Sequence, residues 1–335
     1  MIHTIQLYTY ISLEEIRKAE GLYALDIADI IKKIEAQYDG VRLTIRRIGL
    51  GKEYIIYLFL DAIRLLRKAR ITEVDYNVIQ EEIDDISKKL YLHKESERFV
   101  LLRIDYRYDV QVKDSKVREF LFKLYQKSME RYRFLKRCNG KKKTTHEKGE
   151  KYKTTCYFNS KSLVTVVYDK VAERKAKGEK ICEFEENVLR FEVRLLNNHL
   201  KNNKRNKGMA KNLETYMKEE VYLEYMNNYI CKILQVGDYY TIREARKKIS
   251  ASTYKEKDKK ALEEFLIKIS RVGIEAVIAY RVGRILPNGY SRYKMNKYMT
   301  MCKKLGINPV LIPINSKMPK YISNPLRNLN DIKLH

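Results

Sequence analysis

The chain contains no tryptophan, and nowhere does it run through enough uninterrupted apolar residues to cross a bilayer. A spanning helix needs about 20 such residues, so no membrane span is predicted. A basic protein of the membrane surface would carry one long amphipathic helix with Trp or Phe on its apolar face. Here the charge is spread throughout, and membrane binding is not expected. Met1 to Leu7 lack the basic start and apolar core of a signal peptide, which predicts a cytoplasmic protein. Cysteines are few and scattered: Cys138, Cys156, Cys182, Cys231 and Cys302 are odd in number and form no CxxC. Such spacing argues against a disulfide framework and a zinc knuckle, and predicts reduced, structural thiols. The histidines His3, His93, His146, His199 and His335 form no H-x-H, HExxH or zinc-finger spacing, so neither a two-histidine nickase centre nor a zincin is available. There is no GxxxxGK[ST] or GxGxxG loop, which speaks against a helicase or a ligase.

What the chain does have is positive charge. Its 69 Lys and Arg stand against 43 Asp and Glu, a formal +26 over 335 residues. A field of that sign draws polyanions before any specific contact forms, and nucleic acid is the leading partner class. The length predicts two domains, with a boundary near residues 200–210: an N-terminal part over 1–205 and a helical part over 206–335.

Residues 1–11 read as a strand, after which Ser12 and Glu15 form a capping box for a helix. Two strands are predicted over 41–60, around Gly49 and Gly51, then a helix in ITEVDYNVIQEEIDDISKKL and a strand in RFVLLRIDYRYDVQV. An amphipathic helix is expected over about 115–132. KRCNGKKKTTHEKGEKYK, residues 136–153, reads as a mobile basic loop. Strands follow at 154–159, 163–168 and 188–196, then the basic stretch KNNKRNKGMAK. Helices are predicted over 213–234, from the cap Thr241, and over about 254–271. The fold class is α+β: an antiparallel or mixed sheet with flanking helices, followed by a mainly helical C-terminal region. That region suits either a helix-turn-helix duplex reader or a helical subdomain with a solvated basic face.

Two strands share an unusual pattern. In LLRIDYRYDV, alternation puts Arg103, Asp105, Arg107 and Asp109 on one face, with Leu102, Ile104, Tyr106 and Tyr108 on the other. In LRFEVRLL it groups Arg190, Glu192 and Arg194 opposite Leu189, Phe191, Val193 and Leu195. Cross-strand salt bridges on a wetted face would explain either strand alone. The two flank a third, SLVTVVYDK, whose β-branched run ends at Tyr168. Carboxylates without histidine ligands suit Mg²⁺ or Mn²⁺, and arginines suit phosphate oxygens. Tyrosine, with a reference pKa of about 10, needs activation to act as a nucleophile; Lys170 is placed to stabilise a phenolate. Together these groups would define a phosphodiester site. His199, just beyond the Glu192 strand, is the one histidine expected nearby, and it reads as a surface residue. Tyr157 lies between Cys156 and Phe158, which predicts a strand packed on the core.

The series RIDYRYD, YFNSKSLVTVVYDKVAE and LRFEVRL resembles the replication initiators of rolling-circle plasmids and filamentous phages, of the phage gene II and plasmid Rep_trans type. The tail KMNKYMTMCKKLGINPVLIPINSKMPKYISNPL is similar to the C-terminal region of the gene II type. The resemblance implies that Tyr168 nicks a replication origin, leaving a 5′-phosphotyrosine and a 3′-hydroxyl primer. It implies Asp105 and Glu192 as metal ligands with Asp109 as a weaker candidate, and supporting roles for Lys170 and Glu173. Arg103, Arg107, Arg190 and Arg194 would clamp DNA, with the loop 136–153 and the C-terminal helices adding origin contacts. Host helicase and polymerase are further expected partners, and a homodimer is left open. A non-catalytic sequence-specific DNA-binding protein, such as a copy-control or partition factor, is the rival from another class; a mobilisation relaxase would share the chemistry.

Overall fold

The computed structural model describes residues 2–49, 53–92, 99–128, 154–278 and 289–329, with the backbone alone at 135–138, 280–281 and 284–285. Of the mobile loop predicted over 136–153, residues 136–138 instead belong to a strand, Leu135–Cys138, and 139–153 lie outside the described residues. So do His93, His146 and His335.

The chain opens with strand β1 (Ile2–Ser12), and Ser12 caps α1 (Leu13–Tyr23) through the predicted capping box with Glu15. After α2 (Ile27–Gln37), the hairpin β2 (Val41–Arg47) and β3 (Glu53–Asp61) leads into α3 (Ala62–Leu66) and α4 (Tyr76–Lys89). Strand β4 (Val100–Gln111), α5 (Ser115–Tyr125), β5 (Leu135–Cys138), β6 (Thr155–Asn159) and β7 (Leu163–Asp169) follow. The helix α6 (Lys170–Lys177) then precedes β8 (Val188–Leu196), which runs directly into α7 (Asn197–Lys207). The eight strands form one sheet in the order β2-β3-β1-β4-β8-β7-β6-β5, every neighbour antiparallel. The α+β class and antiparallel sheet are as the sequence predicts.

One face of the sheet is apolar. Ile5, Leu7, Leu58, Leu60, Ile104, Tyr106, Phe191, Val193 and Leu195 are buried on it. The helices α8 (Leu213–Met217) and α9 (Glu219–Met226) pack there. Tyr106 donates to the Tyr216 carbonyl at 2.7 Å, and its ring meets those of Tyr222 and Tyr225 at 5.7 Å each. Such aromatic pairs add about 0.5–1.5 kcal/mol each beyond area burial. The alternation read from β4 needs one correction. Gln6 pairs with Arg103 but Leu7 pairs with Leu101, so Leu102 is the extra residue of a bulge. Leu101 therefore takes the core position, and Leu102 is only half-buried.

The predicted helix 213–234 is broken. Lys218 interrupts it after α8, and Asn227–Cys231 is a π-helical turn between α9 and α10 (Lys232–Leu234). The C-terminal region is mainly helical, with α11 (Ile242–Ser250), α12 (Glu256–Val272) and α13 (Arg292–Leu305). Its ends are tied by Asn324, whose side chain donates to the Gly237 carbonyl at 2.8 Å while its backbone N–H donates to Asp238 at 2.9 Å. Among the described residues no helix is long and apolar enough to cross a membrane. Cys156 departs from the expected reduced state: it is disulfide-bonded, whereas Cys182, Cys231 and Cys302 are free.

Candidate active site

The other face of the sheet carries the charge. Register places Tyr168 opposite Arg190, Asp109 opposite Arg190 on its other side, Glu192 opposite Arg107, and Asp105 opposite Arg194. The polar sides of β4, β8 and β7 thus form one continuous patch. The turn after Tyr168 is fixed by its neighbour: Asp169 caps α6 by accepting from the Ala172 N–H at 3.0 Å and is ion-paired with buried Arg118 at 2.9 Å. Arg118 also donates to Asn187 Oδ1 at 3.1 Å. Tyr168 is thus the penultimate residue of an interior strand, held just before the capped helix.

Tyr168, Asp105, Glu192, Arg103, Arg194 and Lys170 all line one cleft of about 460 Å³. The Tyr168 hydroxyl donates to Glu192 Oε1 at 2.5 Å. Glu192 Oε2 accepts from Arg194 Nη2 at 2.6 Å, and Arg194 Nε lies 3.8 Å from Asp105. Arg103 grips Asp105 with two hydrogen bonds of 2.7 and 2.5 Å. Lys170 Nζ sits 5.9 Å from the centre of the Tyr168 ring, paired to Glu173 at 2.7 Å and near Glu185 at 3.6 Å. It is a cation beside the ring rather than on the hydroxyl.

Burial pushes the Tyr168 phenol well above its ordinary range, and the Glu192 charge adds to the rise. Burial would also raise Glu192, but the opposing influence of Arg194, His3, Arg190 and the Tyr168 hydroxyl brings its carboxyl down to about 2. Burial takes His3 itself down to about 3, so it is neutral at pH 7 and the arginines and tyrosine carry the effect. The resting pair is therefore a protonated tyrosine donating to an ionised glutamate. Asp105 is raised by burial, against the pull of Arg103 and Arg194.

The remaining predicted residues lie elsewhere. Arg107 and Arg190 are buried beneath the patch. Arg190 makes a bidentate pair with Asp109, at 2.7 and 2.9 Å, and Arg107 Nε lies 3.7 Å from the same carboxylate. Arg107 also donates to the Ala69 carbonyl. Arg190 Nη1 and Arg107 Nε find no hydrogen-bond partner among the described residues. Arg103 and Arg194, in contrast, are 25% and 29% exposed at the cleft.

Three residues were missed or misplaced from sequence. His3, on β1, lines the cleft with Nδ1 3.8 Å from Glu192. His199, the expected neighbour, instead lies 3.0 Å from the Tyr225 hydroxyl. Tyr157 does not pack on the core: Cys156 and Phe158 point inward, so alternation turns Tyr157 toward the cleft. That alternation was available in the sequence; the proximity of His3 was not, because it depends on β1 pairing with β4.

Two carboxylates and an imidazole make a donor set chemically suited to a divalent ion, yet both carboxylates are held by arginine. Among the described residues no group of three or more His, Cys, Asp or Glu is disposed to hold a metal.

No curated protein matches the chain significantly. A solved rolling circle replication initiator protein from Geobacillus stearothermophilus superposes with a TM-score of 0.29 at 12% identity, over 60% of this chain and 76% of that one. So loose a likeness has no bearing on the site. The Phage_CRI family model, which describes the N-terminal part of a replication-associated protein of the gene II type, matches residues 73–229 and so includes β4, β7 and β8. This segment, with the cleft-lining Asp105, Tyr168 and Glu192, is similar to that family of replication-associated proteins.

Proposed function

We propose that the protein initiates rolling-circle replication by nicking one strand of an origin with Tyr168. The observation that carries this reading is the 2.5 Å hydrogen bond from the Tyr168 hydroxyl to Glu192 in a cleft that also holds Asp105, Arg103 and Arg194. A nucleophile within hydrogen-bond reach of an ionised base is the arrangement such chemistry requires. The similarity of residues 73–229 to the replication-associated family supports the biological setting.

The Tyr168 oxygen attacks the scissile phosphorus in line, forming a P–O bond to the tyrosine and breaking the bond to the 3′ oxygen. The phenol proton passes to Glu192, and the departing 3′ oxygen takes up a proton to become a free hydroxyl. The strand is left as a 5′-phosphotyrosine, whose retained bond energy lets rejoining proceed without ATP, in accord with the missing nucleotide loop. The 3′-hydroxyl primes a host polymerase, with strand separation assigned to a host helicase.

At rest Glu192 is too weak a base, because Arg194 holds its proton affinity down. A DNA phosphate arriving at the partly exposed Arg103 and Arg194 competes for both guanidiniums and releases Glu192 and Asp105. Those two carboxylates, beside His3, would then hold a divalent ion, Mg²⁺ or Mn²⁺, which supplies charge neutralisation at the scissile phosphate. Asp109, held by Arg190, is left out of this set. Lys170 contributes positive potential beside the Tyr168 ring. The C-terminal region, 206–335, adds origin contacts.

A covalent-adduct assay tests the reading. Parent protein and Tyr168→Phe are incubated with Mn²⁺ and supercoiled DNA carrying the encoding element, then denatured in SDS. DNA attached to the parent and not the variant is the expected result. Salt-sensitive binding of that DNA without a nick would overturn it in favour of a non-catalytic DNA-binding protein.

A further inference from the structure

At the end of β7 remote from Tyr168 lies a second cleft of about 800 Å³ that takes no part in the chemistry above. It is bounded by the β6–β7 turn (Ser160 to Ser162), by the outer side of α7, and by Tyr229 from the π-helical turn. Leu163 and Tyr168 bracket β7, which puts the two sites roughly 17 Å apart along the strand at ~3.4 Å per residue.

Among the described residues the cleft is lined by basic side chains and by no acid. Lys161, Lys201 and Arg205 line it and are exposed, and Lys204 follows on the same helix. The first turn of α7 carries no acid. Among the described residues the single ion pair made by α7 is Lys207 with Glu224, at 3.2 Å. The local field is strong enough that Lys211, already lowered by burial, is brought to about 8 with the help of Lys201 and Lys204. Positive groups without carboxylate partners gain most from an incoming polyanion.

The cleft is also aromatic. Tyr229 stacks on Tyr225 at 5.7 Å with the planes 15° apart, and His199 sets its edge against both, at 5.5 and 6.3 Å. Burial lowers the His199 pKa, so the ring is neutral at pH 7 and adds π surface rather than charge. Tyr229 is half-buried, and π turns of this kind recur at functional sites. Rings braced in this way lose little freedom when a ligand docks. A basic groove with aromatic rings is how single strands are held without sequence readout, whereas a duplex keeps its bases paired and out of reach of such rings.

We propose that this cleft binds single-stranded DNA, with phosphates on Lys161, Lys201 and Arg205 and a base against Tyr229 and His199. The choice of DNA rests on the function proposed above; the single-strand preference rests on the cleft alone. It would hold one strand of the opened origin on the side of the sheet's edge away from the nick.

The test uses the full-length chain in the Tyr168→Phe background with EDTA, so that no nicking intervenes. Anisotropy of fluorescein-labelled oligo-dT is followed as NaCl is raised. Lys201→Ala/Arg205→Ala is expected to weaken binding at least tenfold at about 0.1 M salt and to flatten the log–log salt slope by about 1.4, ~0.7 for each phosphate no longer neutralised. Tyr229→Ala is expected to weaken it by roughly 5- to 150-fold, the range for removing one base stack, with Tyr229→Phe retaining most of the affinity. An oligonucleotide carrying 5-iodo-deoxyuridine should photocrosslink to His199 or Tyr229 in the otherwise unaltered chain, a readout that does not depend on any cleft variant folding. Unchanged affinity in the double variant, equal competition by duplex of the same length, or crosslinks confined to other residues would overturn the proposal. If these expectations hold but the parent forms no adduct, the nicking reading fails and the single-strand cleft stands.

Discussion

Asp109 sits between two buried guanidiniums, and that position makes a quantitative prediction about metal-free protein. Its carboxylate takes both hydrogen bonds of Arg190 and lies 3.7 Å from Arg107 Nε. Arg107 and Arg190 are 2% and 1% exposed, and Asp109 17%. Removing one member of a buried pair costs about 3–5 kcal/mol, because the survivor stays charged and dry. Asp109→Asn strands two adjacent cations, whereas Arg190→Met leaves Asp109 with Arg107 still beside it. The asparagine variant is therefore expected to lose at least ~3 kcal/mol and the methionine variant less. At roughly 2–4 °C per kcal/mol for a protein of this class, Asp109→Asn should melt about 6–12 °C lower. Thermal unfolding followed by circular dichroism in EDTA measures both. A carboxylate built to receive a metal would behave in the opposite sense, since its removal relieves repulsion in the empty site. An Asp109→Asn protein as stable as the parent, or more so, refutes the buried-pair reading and returns Asp109 to the metal set.

The acid side of the stability curve should divide between two residues. His3 is held near 3, below its unfolded value of about 6.5, so its contribution is complete above that pH and is lost as the pH falls through the window between. Glu192, held near 2, contributes above an unfolded value of about 4.3 and loses that contribution on further acidification. Urea midpoints taken from pH 7 to 3 should show His3→Gln flattening the upper part of the slope and Glu192→Gln the lower; identical slopes in all three proteins would contradict the burial of these groups. Gly237→Ala places a Cβ 2.4 Å from the Ile307 carbonyl carbon, so a loss of at least about 1–3 kcal/mol is expected, read as a lower melting temperature. Tyr222→Phe removes the 3.2 Å hydrogen bond to the Arg107 carbonyl and should cost about 1 kcal/mol with adduct formation retained; loss of the adduct in a folded variant would tie the packing behind β4 to the chemistry.

Local order was legible in the sequence because it depends on residues a few positions apart. The Ser12–Glu15 capping box, the period-two alternation of β4 and β8, and the β-branched approach to Tyr168 each follow from steric and hydrogen-bond preferences within one turn or one strand. The pattern Arg-x-acid-x-Arg was also readable, and it does assemble into one charged patch. The alternation even held the answer for Tyr157, whose inward neighbours turn it outward.

Tertiary structure decided which members of that patch face solvent and which are sealed. Period two assigns a face but not what covers it, so Arg107 and Arg190 looked equivalent to Arg103 and Arg194 until the Ala69 carbonyl closed on Arg107 and the Asp109 carboxylate on Arg190. The bulge at Leu102 and the arrival of His3 beside Glu192 both follow from β1 pairing with β4, two strands far apart in the chain, one ending at Ser12 and the other starting at Val100. Long-range pairing is selected by the burial of whole faces, a sum over many distant interactions that no local window contains. The same holds for the second cleft: KNNKRNK announces its charge in the sequence, but only the docking of α7 beside the π turn sets Tyr229 and His199 against it.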